Sequence, residues 1–133
     1  MLSVYRVLAI MMMRSRLARR IYEITGENVY LCYFCGMCSG GCPFAEYMDY
    51  LPHQIMKMIQ LDDRRALESK TIWYCASCFE CSSRCPRGLD ITRVMEGLRI
   101  ILLRERRDAV DLRSISGLEE VPQIAIVLSL IHI

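Results

Sequence analysis

Residues 32–43 read CYFCGMCSGGCP, and residues 75–86 read CASCFECSSRCP. Both stretches space four cysteines as Cys-x2-Cys-x2-Cys-x3-Cys, both end in proline, and the second begins 43 positions after the first. The two motifs use all eight cysteines of the chain. This internal repeat predicts two copies of one structural unit, each built around a cysteine loop.

The spacing within each motif indicates which chemistry the cysteines serve. A Cys-x2-Cys-x2-Cys segment is short enough to bring three thiolates to three corners of one [4Fe-4S] cubane, and a distant fourth thiolate completes the set. In two-cluster ferredoxins of this pattern the fourth cysteine of each motif binds the other cluster. By that rule we predict two [4Fe-4S] clusters, with the ligands Cys32, Cys35, Cys38 and Cys85 for cluster 1 and Cys75, Cys78, Cys81 and Cys42 for cluster 2.

Two other uses of cysteine fit the sequence less well. Four-cysteine zinc sites are built from paired Cys-x2-Cys units, and a third cysteine at the same spacing, followed by Cys-Pro, has no tetrahedral role. A secreted disulfide scaffold needs a signal peptide. Here the positive charges mostly follow the apolar N-terminal stretch, and no small-residue cleavage site is present. We therefore expect a cytoplasmic protein.

Composition is typical of a globular protein. The chain of 133 residues has the size of one domain, with 53% apolar and 24% charged residues. The formal net charge of +2 falls to about −2 when two oxidised clusters with their thiolates are counted at roughly −2 each. We therefore expect no nucleic-acid binding. The apolar stretches at 2–13 and 124–133 are shorter than the ~20 residues that span a bilayer, so we predict no membrane span.

Segments of helical periodicity flank the motifs. An apolar face in residues 17–24 predicts a helix that ends at Gly26, a typical C-terminal stop. After the second motif, Asp90 is placed as an N-cap, and apolar residues at spacings of three and four predict a helix from 91 to about Arg107. Arginines in its last turn complement the helix dipole.

The linker between the motifs is also predicted to be helical. Pro52 suits the first turn of a helix with an apolar face at 55–59. A second, short helix is expected to start near Asp62 or Asp63 and to include Leu67. Together these patterns predict a mainly α fold in which two pseudo-symmetric motifs lie between helices.

We divide the chain into an apolar N-terminal segment (1–14), a domain with both motifs (15–107) and a C-terminal tail (108–133). Only two of the 17 basic residues are lysines, and clustered arginines suit planar, bidentate contacts at interfaces. With two apolar ends on a small chain, this composition predicts one component of a larger complex, with a tail that docks on a partner. The run at 124–133 is compatible with a strand, a helix or a docking peptide.

ITGEN at residues 24–28, the first motif, a helical linker and WYCASC at residues 73–78 follow one another in this chain. This succession, closed by the rest of the second motif, resembles the C subunit of heterodisulfide reductase over residues 15–107. The linker is similar to the α-helical ferredoxin fold, which that family shares with the iron-sulfur subunits of succinate dehydrogenase and fumarate reductase. The resemblance implies an α-helical ferredoxin domain with two [4Fe-4S] clusters.

The resemblance also implies a role as an electron relay in an oxidoreductase complex, with no substrate site in this chain. Electrons would pass from the A subunit, which contains flavin and iron-sulfur groups, to the cysteine-rich B subunit, which reduces the disulfide; in methanogens that disulfide joins coenzyme M to coenzyme B. Two alternatives stay open: a free-standing two-cluster ferredoxin, and a relay subunit of another anaerobic oxidoreductase such as a fumarate or succinate-type enzyme. A non-redox cluster protein or a zinc protein ranks last.

Other side chains near the motifs receive simpler interpretations. The aromatic pairs at 33–34 and 73–74 are expected to shield the clusters from water. His53 and His132 are assigned no function, because cysteines already fill every cluster corner.

Replacing Cys42 with Ser tests the crossover of the fourth cysteines. If Cys42 binds cluster 2, then Cys42→Ser damages the cluster held mainly by the second motif, although Cys42 itself lies in the first. Spectra of the reduced, cluster-loaded variant report which cluster is lost. Loss of the cluster held mainly by the first motif would contradict this assignment.

Overall fold

The computed structural model describes residues 13–105, and within this range the fold is formed by helices without strands. Its α-helices are α1 (Arg16–Thr25), α2 (Met37–Gly40), α3 (Pro52–Gln60), α4 (Arg65–Glu68), α5 (Thr71–Tyr74), α6 (Glu80–Ser83) and α7 (Ile91–Arg104), with 3-10 turns at Val29–Leu31 and Ala45–Tyr47. The predicted mainly α fold is confirmed. None of these helices has the length and apolar character needed to cross a bilayer. Residues 1–12 and 106–133 lie outside the described range, so the docking role of the tail stays a prediction.

Helix α1 begins and ends at its capping residues. The Ser15 hydroxyl accepts a hydrogen bond from the Ala18 amide at 3.0 Å, as an N-cap does. The same hydroxyl donates to the Ile59 carbonyl at 2.6 Å, which ties the start of α1 to the end of α3. Gly26 closes α1 in a left-handed conformation, with φ 77°, and its amide donates to the Tyr22 carbonyl. The predicted stop at Gly26 is confirmed.

The linker carries α3 and α4, and α4 starts later than predicted. Pro52 is the first residue of α3. Three side chains of α3 are fully buried: Ile55, Met56 and Ile59. Helix α4 includes Leu67, as predicted, but begins at Arg65. Asp62 separates the two helices because it adopts a left-handed conformation with φ 61°.

Helix α7 is the longest of the described helices and begins where predicted. Asp90 is its N-cap, and the carboxylate accepts a hydrogen bond from the Arg93 amide at 3.1 Å. Its buried apolar side chains are Ile91, Val94, Met95, Leu98, Ile101 and Leu102. The helix ends at Arg104, earlier than the predicted end near Arg107, because Glu105 forms the closing turn. The residues after Glu105 lie outside the described range.

Helices α1 and α7 approach each other closely at Gly97. A Cβ at this position would lie 2.7 Å from Thr25 Cγ2 and 3.3 Å from Ile21 Cδ1, both on α1.

The hydrophobic core that buries α1, α3 and α7 also includes Cys38 and Cys81, the third cysteines of the two motifs. Each cysteine loop is therefore anchored in the hydrophobic core.

The repeat in the cysteine spacing continues in the helices. Helix α3 follows the first motif as α7 follows the second, and their buried residues correspond in pairs: Ile55 with Val94, Met56 with Met95, and Ile59 with Leu98. These pairs lie 39 positions apart, whereas the cysteines lie 43 apart, because the connection after the second motif is shorter. The chain thus packs two similar halves against each other.

Asp49 joins the start of the linker to its end. Its carboxylate accepts hydrogen bonds from the Ser69 hydroxyl at 2.7 Å and the Lys70 amide at 3.0 Å. The amide and hydroxyl of Thr71 also donate to it, at 3.0 and 2.7 Å. Desolvation opposes ionisation, but these hydrogen bonds outweigh it and hold the pKa of the Asp49 carboxyl well below its usual range. The contacts fix the start of α5, which leads directly into Cys75.

Asp49→Asn should lower the free energy of unfolding by about 1 kcal/mol at neutral pH, because the side-chain amide lacks the charge and one of the two acceptor oxygens that bind residues 69–71. Because the folded-state pKa is depressed, this stabilisation is present above the unfolded-state value of about 3.9 and is lost as the pH falls toward the folded-state pKa. The difference between the two proteins should therefore be constant near neutral pH and narrow below about pH 5. Urea unfolding of the anaerobic, cluster-loaded protein, followed by circular dichroism, measures it.

Glu46→Gln is the matched control, because Glu46 is an exposed carboxylate in the turn just before Asp49. This variant should unfold at the same urea concentration as the parent protein. An equal loss of stability in both variants would attribute the effect to net charge instead of the Asp49 contacts.

Candidate metal centre

The two cysteine loops share one backbone shape. In the first motif Phe34 and Gly36 have positive φ angles of 69° and 80°. In the second motif the corresponding residues, Ser77 and Phe79, have φ angles of 55° and 62°. Left-handed residues next to right-handed ones turn successive amides toward one side, which forms a concavity that attracts anions. Both loops can therefore direct N–H groups toward thiolate and sulfide sulfurs.

One cavity brings cysteines of both motifs together. It is partly open to solvent, and four cysteines line it: Cys42, Cys75, Cys78 and Cys81. Apolar side chains form much of the remaining wall, including Phe44, Met48, Pro52, Ile91 and Met95. The structure thus gathers the four cysteines that the sequence predicts for cluster 2, including the one from the first motif.

The other four cysteines are Cys32, Cys35, Cys38 and Cys85. Cys38 is buried, Cys35 is exposed, and the remaining two are half-buried. Slight desolvation raises the pKa of the nearby Tyr33 hydroxyl, and the neighbouring Cys35 and Cys85 raise it further. Cys85 of the second motif therefore lies within electrostatic reach of the first motif.

The donor groups suit a polynuclear cluster. All eight cysteines are free thiols. Among residues 13–105, no three side chains of His, Cys, Asp or Glu converge closely enough to share one metal ion, as a zinc site with sulfurs about 2.3 Å from the ion requires. In a cubane each thiolate binds a different iron, so the ligands stand further apart. Free thiols from both motifs, apolar walls and the left-handed turns of the loops together fit a [4Fe-4S] cluster.

Burial sets the acidity of the inner thiols. The pKa of the Cys38 thiol is raised to about 11, because burial and the neighbouring cysteines of both motifs raise it more than the hydrogen bond with Ser39 lowers it. Burial also raises the pKa of Cys75, against the lowering effects of the Ser77 amide and the Arg99 guanidinium. These thiols therefore hold their protons at neutral pH, and a metal that binds them has to displace the protons.

Sequence reasoning missed the polar contacts behind the third cysteine of the first motif. Ser39 Oγ lies 3.9 Å from Cys38 Sγ and 2.6 Å from His53 Nδ1. The His53 ring also packs edge-on against Phe34, with 4.6 Å between ring centroids. His53, which the sequence left without a function, thus fixes the hydroxyl next to Cys38.

In the second motif Thr92 takes the place of His53. Its Oγ1 lies 3.6 Å from Cys81 Sγ and 3.2 Å from Ser82 Oγ. The signal that could have revealed both arrangements is the serine that follows the third cysteine in each motif.

Two further side chains hold the first cysteine of each motif through its backbone. Gln60 Nε2 donates to the Cys32 carbonyl at 2.9 Å, and Arg99 donates to the Cys75 carbonyl. Gln60 and Arg99 occupy corresponding positions of α3 and α7, although nothing in the sequence alone assigns them to the cysteine loops.

The aromatic pairs next to the cysteines are partly open to solvent. Tyr33 and Phe34 are 59% and 45% exposed, and Trp73 and Tyr74 are 39% and 46% exposed. Their outer faces therefore meet water, and the shielding of the clusters by these side chains stays a prediction.

Residues 28–89 match the family model of the 4Fe-4S dicluster domain. This range begins just before the first motif, ends just after the second, and includes all eight cysteines. The match agrees with the cluster type predicted from the spacing.

Curated proteins from methanogens are similar to part of this chain. The C subunit of the ferredoxin:CoB-CoM heterodisulfide reductase of Methanosarcina acetivorans is 40% identical over 74 residues, which are 56% of this chain and 30% of the relative. The iron-sulfur C 2 subunit of the CoB-CoM heterodisulfide reductase of Methanocaldococcus jannaschii is 36% identical over 75 residues, 56% and 40% of the two chains. The chain resembles the C subunits of heterodisulfide reductases.

This resemblance to the C subunits, predicted from the sequence, is confirmed. A third relative, the C subunit of the ferredoxin:CoB-CoM heterodisulfide reductase of Methanosarcina mazei, is 29% identical over 86 residues, 65% of this chain and 53% of the relative. The matched part of the chain thus spans between 30% and 53% of the length of these relatives.

Gly36→Ala and Phe79→Gly test the left-handed turn at one position of both loops. A Cβ at Gly36 meets no atom within 4 Å, so Gly36→Ala should cost only backbone strain, about 1–2 kcal/mol of unfolding free energy. Phe79 already carries that strain at φ 62°, so Phe79→Gly should leave stability unchanged or raise it by up to about 1 kcal/mol. Urea unfolding of the cluster-loaded variants measures both effects.

The two variants serve as controls for each other because they make opposite changes at matching positions. If Phe79→Gly loses as much stability as Gly36→Ala, the Phe79 side chain stabilises its loop through contacts that exceed the strain.

Proposed function

We propose that this chain is the iron-sulfur relay subunit of a heterodisulfide reductase-type complex, passing electrons from a flavin-containing A subunit to the disulfide-reducing B subunit. In this role it contributes to an oxidoreductase without a substrate site of its own. The cavity that unites Cys42 with Cys75, Cys78 and Cys81 is the observation that carries the proposal. It supplies four thiols from two loops in an apolar setting, which is what one cubane requires.

Under this proposal two [4Fe-4S] clusters supply one-electron redox chemistry when bound. The proposed ligands are Cys32, Cys35, Cys38 and Cys85 for one cluster and Cys75, Cys78, Cys81 and Cys42 for the other. The chain itself holds the thiolates, directs backbone amides toward the sulfurs and excludes water with apolar side chains. Because each motif contributes to both sites, the sites lie close enough for an electron to hop between them.

The proposed partners are the A subunit, with flavin and iron-sulfur groups, and the cysteine-rich, catalytic B subunit. The names of the relatives support a complex, because each relative is itself one subunit of a larger enzyme. Exposed apolar side chains on the described surface, such as Tyr47 at 65% and Leu61 at 68% exposure, are compatible with contacts to other subunits. The cytoplasm is the proposed location because it keeps thiols reduced. Nucleic acid and membrane are not proposed partners.

Anaerobic native purification from the source organism tests the proposal. Iron and acid-labile sulfide are assayed on this chain, and the proteins that elute with it are identified. We expect about eight irons per chain, the number in two cubanes, together with a flavoprotein and a second cysteine-rich protein.

Other outcomes of this purification would assign the chain a different function. A cluster-loaded protein that purifies alone would indicate a free-standing ferredoxin, and co-elution with a fumarate or succinate-type enzyme would place the relay in another complex. Bound zinc in place of iron would overturn the iron-sulfur assignment.

A further inference from the structure

The two halves of the fold differ in the charge that they bring to the first cysteine of each motif. Gln60 holds the Cys32 carbonyl through a neutral amide group, at 2.9 Å. At the corresponding position of α7, Arg99 holds the Cys75 carbonyl through its guanidinium group. The hydrogen bonds serve the same purpose, but glutamine is neutral and arginine is positive at every accessible pH. The pseudo-symmetry of the backbone is therefore broken electrostatically.

The positive charge of Arg99 is held inside the second loop. Its side chain is only 18% exposed. Besides the Cys75 carbonyl, it donates to the Ile72 carbonyl at 2.8 Å and to Ser77 Oγ at 3.3 Å. These contacts come from both sides of Cys75 along the chain, so the guanidinium is fixed at the backbone of a cysteine that lines the cavity, near enough to lower the pKa of its thiol.

Acidic groups near Arg99 compensate its charge only in part. Glu96 lies 3.0 Å from the guanidinium, but its side chain is 54% exposed. Glu80, which also lines the cavity, forms an ion pair with Arg84 at 2.6 Å. Exposed charges are screened by water and salt much more than enclosed ones. The enclosed guanidinium is therefore screened less than the carboxylates that surround it.

Cations near the first loop are exposed. Lys57 corresponds to Glu96, and its ammonium lies 3.5 Å from the Gln60 side-chain oxygen, in a contact open to solvent. Arg87 donates to the Leu31 carbonyl at 3.2 Å, again at the surface. Both charges are therefore screened, whereas the group that holds the Cys32 carbonyl is the neutral amide of Gln60.

We propose that Arg99 is a positioning residue that makes the cluster of Cys75, Cys78, Cys81 and Cys42 the higher-potential cluster of the pair. An enclosed positive charge favours the reduced state, which carries one more electron than the oxidised state. The inference rests on the proposed function, because it requires two redox-active clusters. It gives the relay a direction: one electron leaves the Cys32 side, which is oxidised, and arrives at the Cys75 side, which is reduced.

The test is a redox titration of the anaerobic, cluster-loaded chain, with the reduced clusters followed by electron paramagnetic resonance. The parent protein should show two one-electron transitions. In Arg99→Gln, which copies the arrangement of the first half, the higher transition should fall by about tenfold in its reduction equilibrium constant, equal to about 59 mV for a one-electron couple. The lower transition should stay in place.

Three further variants separate charge from structure. Arg99→Lys retains the positive charge and should keep the higher transition near its original position. Gln60→Arg places the charge on the other half and should raise the lower transition. Arg104→Gln removes an exposed arginine from the same helix, and should shift neither transition.

Equal potentials in the parent protein would overturn the inference, as would an Arg99→Gln variant in which both transitions, neither, or only the lower one moves. If Arg99→Gln fails to take up clusters, the parent protein and Gln60→Arg decide the question. Failure of the proposed function looks different: the parent protein then contains no iron-sulfur clusters or takes up fewer than two electrons per chain on full reduction, before any variant is compared.

Discussion

The arrangement of the whole domain depends on one constraint, which is that Cys42 must share a cavity with three cysteines of the other motif. Thiols cannot hold two loops together before a cluster is present, so the hydrophobic core has to do it. Helices α3 and α7 each follow a loop and bury matching apolar side chains, and Cys38 and Cys81 reach into the same core. Burial of these side chains fixes the distance between the loops, and the cavity is the space that remains.

Much of the remaining chain is held by polar contacts that act over long distances in sequence. Helices α2, α4, α5 and α6 have four residues each, and helices shorter than about 12 residues are marginal on their own. Their positions therefore depend on side chains from other segments. Asp49 fixes the start of α5, and Ser15 ties α1 to the end of α3. These contacts orient the backbone that carries the cysteines, so they matter for the metal centre although they lie outside it.

Features with a local cause were predictable from the sequence. The cysteine spacing, the stop at Gly26 and the N-cap at Asp90 each express the geometry of a few neighbouring residues, and the structure has the two helix signals where the sequence predicts them. The late start of α4 was missed because nothing in the sequence predicts a left-handed Asp62. His53 and Arg99 were missed for a different reason: their partners lie 14 and 24 positions away, and only the tertiary fold brings them together.

The residues that line the shared cavity also determine how late in translation this cavity can form. A chain leaves the ribosome N-terminus first, so Cys42 emerges before the three cysteines that line its cavity have been translated. The wall of the cavity also includes Met95, which belongs to the last described helix. The cavity therefore forms only after nearly the entire described domain has been released. If the cavity holds the proposed cluster, iron and sulfide enter it as a late step of biogenesis, and until then the nascent chain carries reduced thiols that the cell must keep from oxidation.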